Sequence, residues 1–142
     1  MVVTTSEIRE AAIRFVGDAL RGGAAPPRVG VAAAGACEQL VLRVADYVGS
    51  AGARALFERS LALEMRERPW LAAAVPGKDE SPWVRLRDCL GGHEPEAMGA
   101  SVALVATFLT LFSTFVGQGL TFRILHQHWP DAFPVDGPAE NT

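Results

Sequence analysis

The side chains able to do chemistry are few and poorly grouped. His126 and His128 stand two apart beside Trp129, a pattern that invites a metal. Positions i and i+2 on a helix point about 200° apart, however, and cannot share one ion without unwinding. No cysteine or carboxylate cluster nearby completes a coordination set, so the pair reads as helix-end histidines facing a negative dipole end. Cys37 and Cys89 match neither zinc nor redox spacing and read as small buried side chains in a reducing compartment. Ser60, Ser81, Ser101 and Ser113 lack a glycine-flanked nucleophile elbow, and His93 neighbours Cys89 only in sequence. Gly30 and Gly35 bracket an alanine-rich helix start without the strand and spacing of a dinucleotide or phosphate loop, and Gly117 and Gly119 lie inside an apolar run. The reading therefore assigns no catalytic residue, cofactor-binding residue or metal ligand, and it leans away from an enzyme.

Charge narrows the partners. The chain has 142 residues, with 13 basic against 16 acidic side chains and a net charge of −3. The basic residues are scattered rather than massed, which argues against a nucleic-acid footprint. All of them except Lys78 are arginine and alanine is abundant, a usage that fits a GC-rich bacterial genome. The first ten residues carry acids and lack a basic segment followed by an apolar core, so no secretory signal is expected. A cytoplasmic protein is the default reading.

The elements that would position any site are helical. Thr4 and Glu7 form a capping box, and Ile8, Ala12, Phe15, Val16 and Ala19 recur on one face of a 3.6-residue period, up to a stop at Gly22-Gly23. Pro26-Pro27 reads as a stiff connector. A second helix follows from about Val31, with Cys37, Leu40, Val41, Val44 and Val48 as its stripe, then a corner at residues 49–52. A third helix is expected from about Ala53 to Arg68, carrying Leu56, Phe57, Leu61, Leu63 and Met65 inward and a solvated mixed-charge face outward. Pro69 ends it. Residues 75–80 read as an exposed loop, and Ser81-Pro82 opens a short helix to Leu90, closed by Gly91-Gly92. Glu94-Pro95-Glu96 starts a last helix running to about His128.

That last helix contains an uncharged run, Ala97 to Phe122. Leu104, Phe108, Leu111, Phe115, Phe122 and Leu125 make one bulky stripe, and Val105, Leu109, Phe112, Val116 and Leu120 make a second. Thr107, Thr110, Thr114, Gly117 and Thr121 recur at heptad spacing as a small, weakly polar third seam. Small residues let helix backbones approach closely, either in a soluble interface or in a membrane. The density of threonine, the amphipathic helices that need a covering partner and the lack of flanking Lys/Arg clusters favour a soluble bundle. A straight helix from Pro95 to His128 would be about 50 Å long, against about 37 Å for the diameter of a compact domain of this length. The helix is therefore predicted either to bend or break at Gly117-Gln118-Gly119 or to project and be covered by a second copy.

The fold class expected is all-α: one bundle of about five helices over residues 1–130, with an extended or frayed tail over 131–142. The function expected is protein–protein contact as an adaptor, regulator or scaffold, with a homodimer or a larger protein as partner. The candidate interface is Thr107, Thr110, Thr114, Gly117 and Thr121, joined by three tryptophans that each adjoin a proline, Trp70, Trp83 and Trp129. Two alternatives stand beside it: a membrane-associated protein inserting the long helix, and a bundle with an apolar ligand pocket between the Phe-rich face of the last helix and the earlier hairpin.

Overall fold

A computed structural model describes residues 5–21 and 28–134, and all of their regular structure is helical. The order is α1 (Thr5–Arg21), α2 (Val29–Val48), α3 (Ser50–Glu64), a 3-10 helix (Pro69–Ala74), α4 (Pro82–Gly91), α5 (Glu94–Val116) and α6 (Gln118–His128). Thr4 of the capping box, the Gly22-Gly23 stop, Pro26-Pro27 and residues 135–142 lie outside the described residues. The chain is an all-α bundle, and each stripe read from the sequence supplies core. Ile8, Ala12, Phe15 and Val16 of α1, Leu40, Val41 and Val44 of α2, and Leu86 and Leu90 of α4 are all buried.

α2 is the hub, packing on α1, α3, α4 and α5. It turns into α3 through Gly49 alone, whose φ of 88° is a conformation that glycine adopts without steric cost. The connector between α3 and α4 gains a 3-10 helix that periodicity does not reveal, because six residues are too few to set up a pattern. In the exposed loop that follows, Glu80 accepts from the Gly77 N–H and pairs with Arg85 at 3.0 Å, and these contacts hold its carboxyl below the usual carboxylate range.

The last helix breaks where the sequence places its weak point. Gly117 takes φ 99° and ψ 147°, closing α5 and opening α6. After α6 the chain turns back: the Phe133 N–H donates to the Trp129 carbonyl at 3.0 Å, and Ala132 and Phe133 are buried. The first residues of the expected tail are thus packed into the bundle.

The start of α2 has no capping side chain of its own, since Arg28 occupies the N-cap. The cap comes from elsewhere in the chain. Glu94, at the start of α5, accepts the N–H of Val29 at 2.9 Å and that of Gly30 at 2.7 Å, one on each carboxylate oxygen. Backbone donors at a helix start need such a partner, and a carboxylate also suits the positive end of the helix dipole. Replacing Glu94 with alanine is expected to destabilise the fold by about 2–3 kcal/mol, and glutamine, which keeps one acceptor, by about 1 kcal/mol. Urea unfolding of the two variants would check this order.

Candidate functional site

The threonine seam does not form one surface. Thr107 is half-buried and donates to Glu64 Oε2 at 2.6 Å, while Arg68 holds the other carboxylate oxygen at 3.3 Å. Thr121 is fully buried and donates to the Gly117 carbonyl at 2.8 Å. Both act within the fold, tying α5 to α3 and securing the first turn of α6. Thr110 and Thr114 are exposed, as is Gly117.

Around those two threonines the surface is apolar. Phe115 is 69% exposed and Leu120 is 45% exposed, although both belong to stripes that periodicity assigns to the core. Within α5, full burial along the stripes ends with Phe112; Val116 and Phe122 are half-buried, and Leu125 of α6 is buried again. In the last turn of α5, Ser113 and Val116 face the bundle while Thr114 and Phe115 lie on the opposite, uncovered side. Periodicity shows which residues share a face; it does not show which of two adjoining stripes the neighbouring helices cover. Thr110, Leu111, Thr114 and Phe115 are neighbours at i+3 and i+4 spacing, and no charge appears until Arg123.

The exposed threonines are prepared for burial. The Thr110 hydroxyl donates to the Ala106 carbonyl at 2.8 Å and that of Thr114 to the Thr110 carbonyl at 3.0 Å. With the hydroxyl protons spent on the helix itself, covering this face costs less than covering a threonine bonded to water.

The tryptophans occupy separate places. Trp70 stacks on His93 at 4.1 Å, Trp83 meets Phe57 at 5.0 Å, and Trp129 meets Phe15 edge-on at 4.9 Å. Each is half-buried against the core, and no ring contact among the described residues joins one to another.

Most of the residues first considered for chemistry have structural partners. His126 Nδ1 donates to the Phe133 carbonyl at 2.9 Å, whereas His128 Nε2 lies 3.4 Å from the Tyr47 hydroxyl, so the two rings face different elements. Among the described residues no group of three or more His, Cys, Asp or Glu side chains is arranged to hold a metal. Ser60 and Ser101 donate to carbonyls of their own helices, and Ser81 caps α4. Ser113 Oγ is buried without a hydrogen-bond partner among the described residues.

Burial pushes the Cys37 thiol up to about 12 and also raises that of Cys89, whose Sγ donates to the Trp70 carbonyl at 3.6 Å. The thiolate is the reactive form, so iodoacetamide at neutral pH is expected to leave both cysteines unmodified in the folded chain and to alkylate both in denaturant. Mass spectrometry reads this directly; native labelling at the rate of a free thiol would contradict it.

The interior between α2, α3 and α5, where an apolar ligand pocket is expected from the sequence, is closed. Leu40, Val41, Phe57, Leu104 and Phe108 meet there with no room for a water molecule. α5 itself is long and apolar enough to cross a membrane, with a mean hydropathy of 1.9, and half of that stretch is buried inside the bundle.

Fold and surface together define a single all-α helical bundle with an uncharged, partly uncovered helix end. No family model, curated protein or solved structure matches the chain.

Proposed function

We propose that the protein acts by protein–protein contact and that the exposed end of α5 pairs with a second copy of itself. The observation carrying this reading is Phe115, 69% exposed on a face whose threonines already satisfy their own hydroxyls. With no charged side chain of its own from Ala97 to Phe122, this helix end can meet its twofold mate without like-charge repulsion between the paired helices, as an isologous contact requires. Aromatic side chains at the centre of such contacts often dominate their binding energy.

The chemistry-bearing residues support the same class of function. His126, Ser60, Ser101 and Cys89 donate to backbone carbonyls and Ser81 caps α4, which is the pattern of side chains employed in folding. A scaffold, adaptor or regulatory role in the cytoplasm follows from this reading.

Membrane association is the second reading, favoured by the length and hydropathy of α5. Inserting that helix would remove the partner of α1, α2, α3 and α4, all of which pack on it. The soluble pairing keeps the bundle intact.

Phe115→Asp separates the readings from a folding defect, because an exposed side chain contributes little to the core. The substitution is expected to weaken self-association about 30-fold or more, as for a contact worth 2 kcal/mol, with unchanged helix content by circular dichroism. Light scattering across a dilution series measures it. Equal association of the variant and the parent chain would contradict the assignment of this face.

A further inference from the structure

A concave space of about 430 Å³ opens between α1, α2 and Trp129, away from the α5 face. This volume lies in the range of small-molecule sites. Phe15 and Trp129 supply aromatic lining, in edge-to-face contact with each other. α2 contributes a wall of alanines and Gly35, where a Cβ would meet nothing within 4 Å.

The polar lining is one-sided. Among the described residues of the lining, Asp18 and Glu38 are the charged ones, and neither is accompanied there by a lysine or arginine. Asp18 is ion-paired with Arg21. Glu38 is half-buried and has no hydrogen-bond or ion-pair partner among the described residues. It also lines a second concavity of about 300 Å³ that it shares with Arg87 of α4, without forming a salt bridge to it. On the Trp129 side this half-buried carboxylate meets apolar walls and makes no ion pair among the described residues, so a cation bound there would supply a counter-charge it does not hold directly.

An anion would meet two carboxylates here. A metal ion would find a single unpaired carboxylate, too few ligands for a protein site. A neutral apolar molecule would leave Glu38 uncompensated. An ammonium group on a flat or apolar body satisfies both halves of the site, with its charge beside Glu38 and its body against rings that attract cations.

We infer that this pocket binds a small organic cation, with Glu38 as the counter-ion and Trp129 and Phe15 as the aromatic wall. The site shares no residue with the α5 face, so it stands or falls separately from self-association.

The test uses the intact chain and benzyltrimethylammonium as probe, followed by amide and indole NMR shifts and by calorimetry. Benzyl alcohol and benzoate serve as neutral and anionic comparisons. The cation is expected to shift the Trp129 indole and Gly35 amide signals saturably, with benzyl alcohol binding about five-fold or more weakly and benzoate not binding. Glu38→Gln is expected to bring the cation down to the affinity of the alcohol. Gly35→Leu, placed where space is open, is expected to abolish binding while the chain stays folded. Equal affinity for cation and alcohol, a Glu38→Gln variant that binds like the parent, or no shift at Trp129 and Gly35 to tens of millimolar would each overturn the inference.

Discussion

Gly30→Ala is expected to destabilise the protein by about 2 kcal/mol, whereas Gly35→Ala, five residues along the same helix, is expected to stabilise it by about 0.5–1 kcal/mol. The opposite signs come from what each added methyl meets. A Cβ on Gly30 would stand 2.6 Å from the Gly91 nitrogen and the Leu90 carbonyl carbon, and 2.7 Å from Glu94 Oε2. Two of those atoms are backbone at the end of α4 and cannot rotate away. Ordinary carbon contact needs about 3.5 Å or more, so α2 must lift from α4, and the lift also strains the hydrogen bonds from Val29 and Gly30 to Glu94. The helix propensity gained by alanine offsets part of this loss. At Gly35 nothing lies within 4 Å, and the same propensity gain acts alone. Thermal unfolding separates the two, with Gly30→Ala roughly 5 °C or more below the parent chain and Gly35→Ala a few degrees above it. Equal shifts would mean that α2 does not approach α4 this closely.

Phe133→Ala carries the second large effect, an expected loss of about 3–5 kcal/mol. Phe133 is 1% exposed, and its ring lies 5.7 Å from Phe15, 6.0 Å from Phe122 and 6.3 Å from Trp129 between centroids. Two side chains strap its segment to the bundle. His126 Nδ1 donates to the Phe133 carbonyl, and Arg14 Nε donates to the Ala132 carbonyl at 3.1 Å. Truncating the ring would leave a hole among aromatic neighbours that backbone straps prevent from collapsing. Guanidinium unfolding gives the magnitude. A loss below about 1 kcal/mol would mean that this segment lies outside the cooperative core.

These two residues also mark where sequence reading stops. Periodicity locates α1, α2, α4 and most of α5 because each element has enough turns for an apolar stripe to repeat. The break at Gly117 is readable from length and from the two flexible glycines. Gly30 is different: its need for close approach is created by the end of α4, some sixty residues away, and no local pattern encodes it. Glu94 looks like an ordinary acid at a helix start, yet its carboxylate caps α2. Phe133 lies between Pro130 and Pro134 in a stretch too short for periodicity, so its burial depends on a space that the aromatic residues of other helices enclose.

The candidate surface is only partly legible for the same reason. Heptad spacing gathers Thr107, Thr110, Thr114, Gly117 and Thr121 on one seam, but Glu64 covers one end and the α6 turn buries the other. Phe115 and Leu120 sit on stripes that look internal and yet are exposed, while Ser113, Val116 and Thr121 beside them face the bundle. The surplus of apolar helix surface can be read from the sequence, whereas its location needs the packing of the neighbouring helices.

Sedimentation velocity of the intact chain, without detergent and over a wide concentration range, tests the proposed pairing through α5 most directly. The expected result is a reversible shift with rising concentration to a species of twice the 15.1 kDa chain mass. A single 15.1 kDa species at every concentration, or a chain recovered only in detergent, would contradict it.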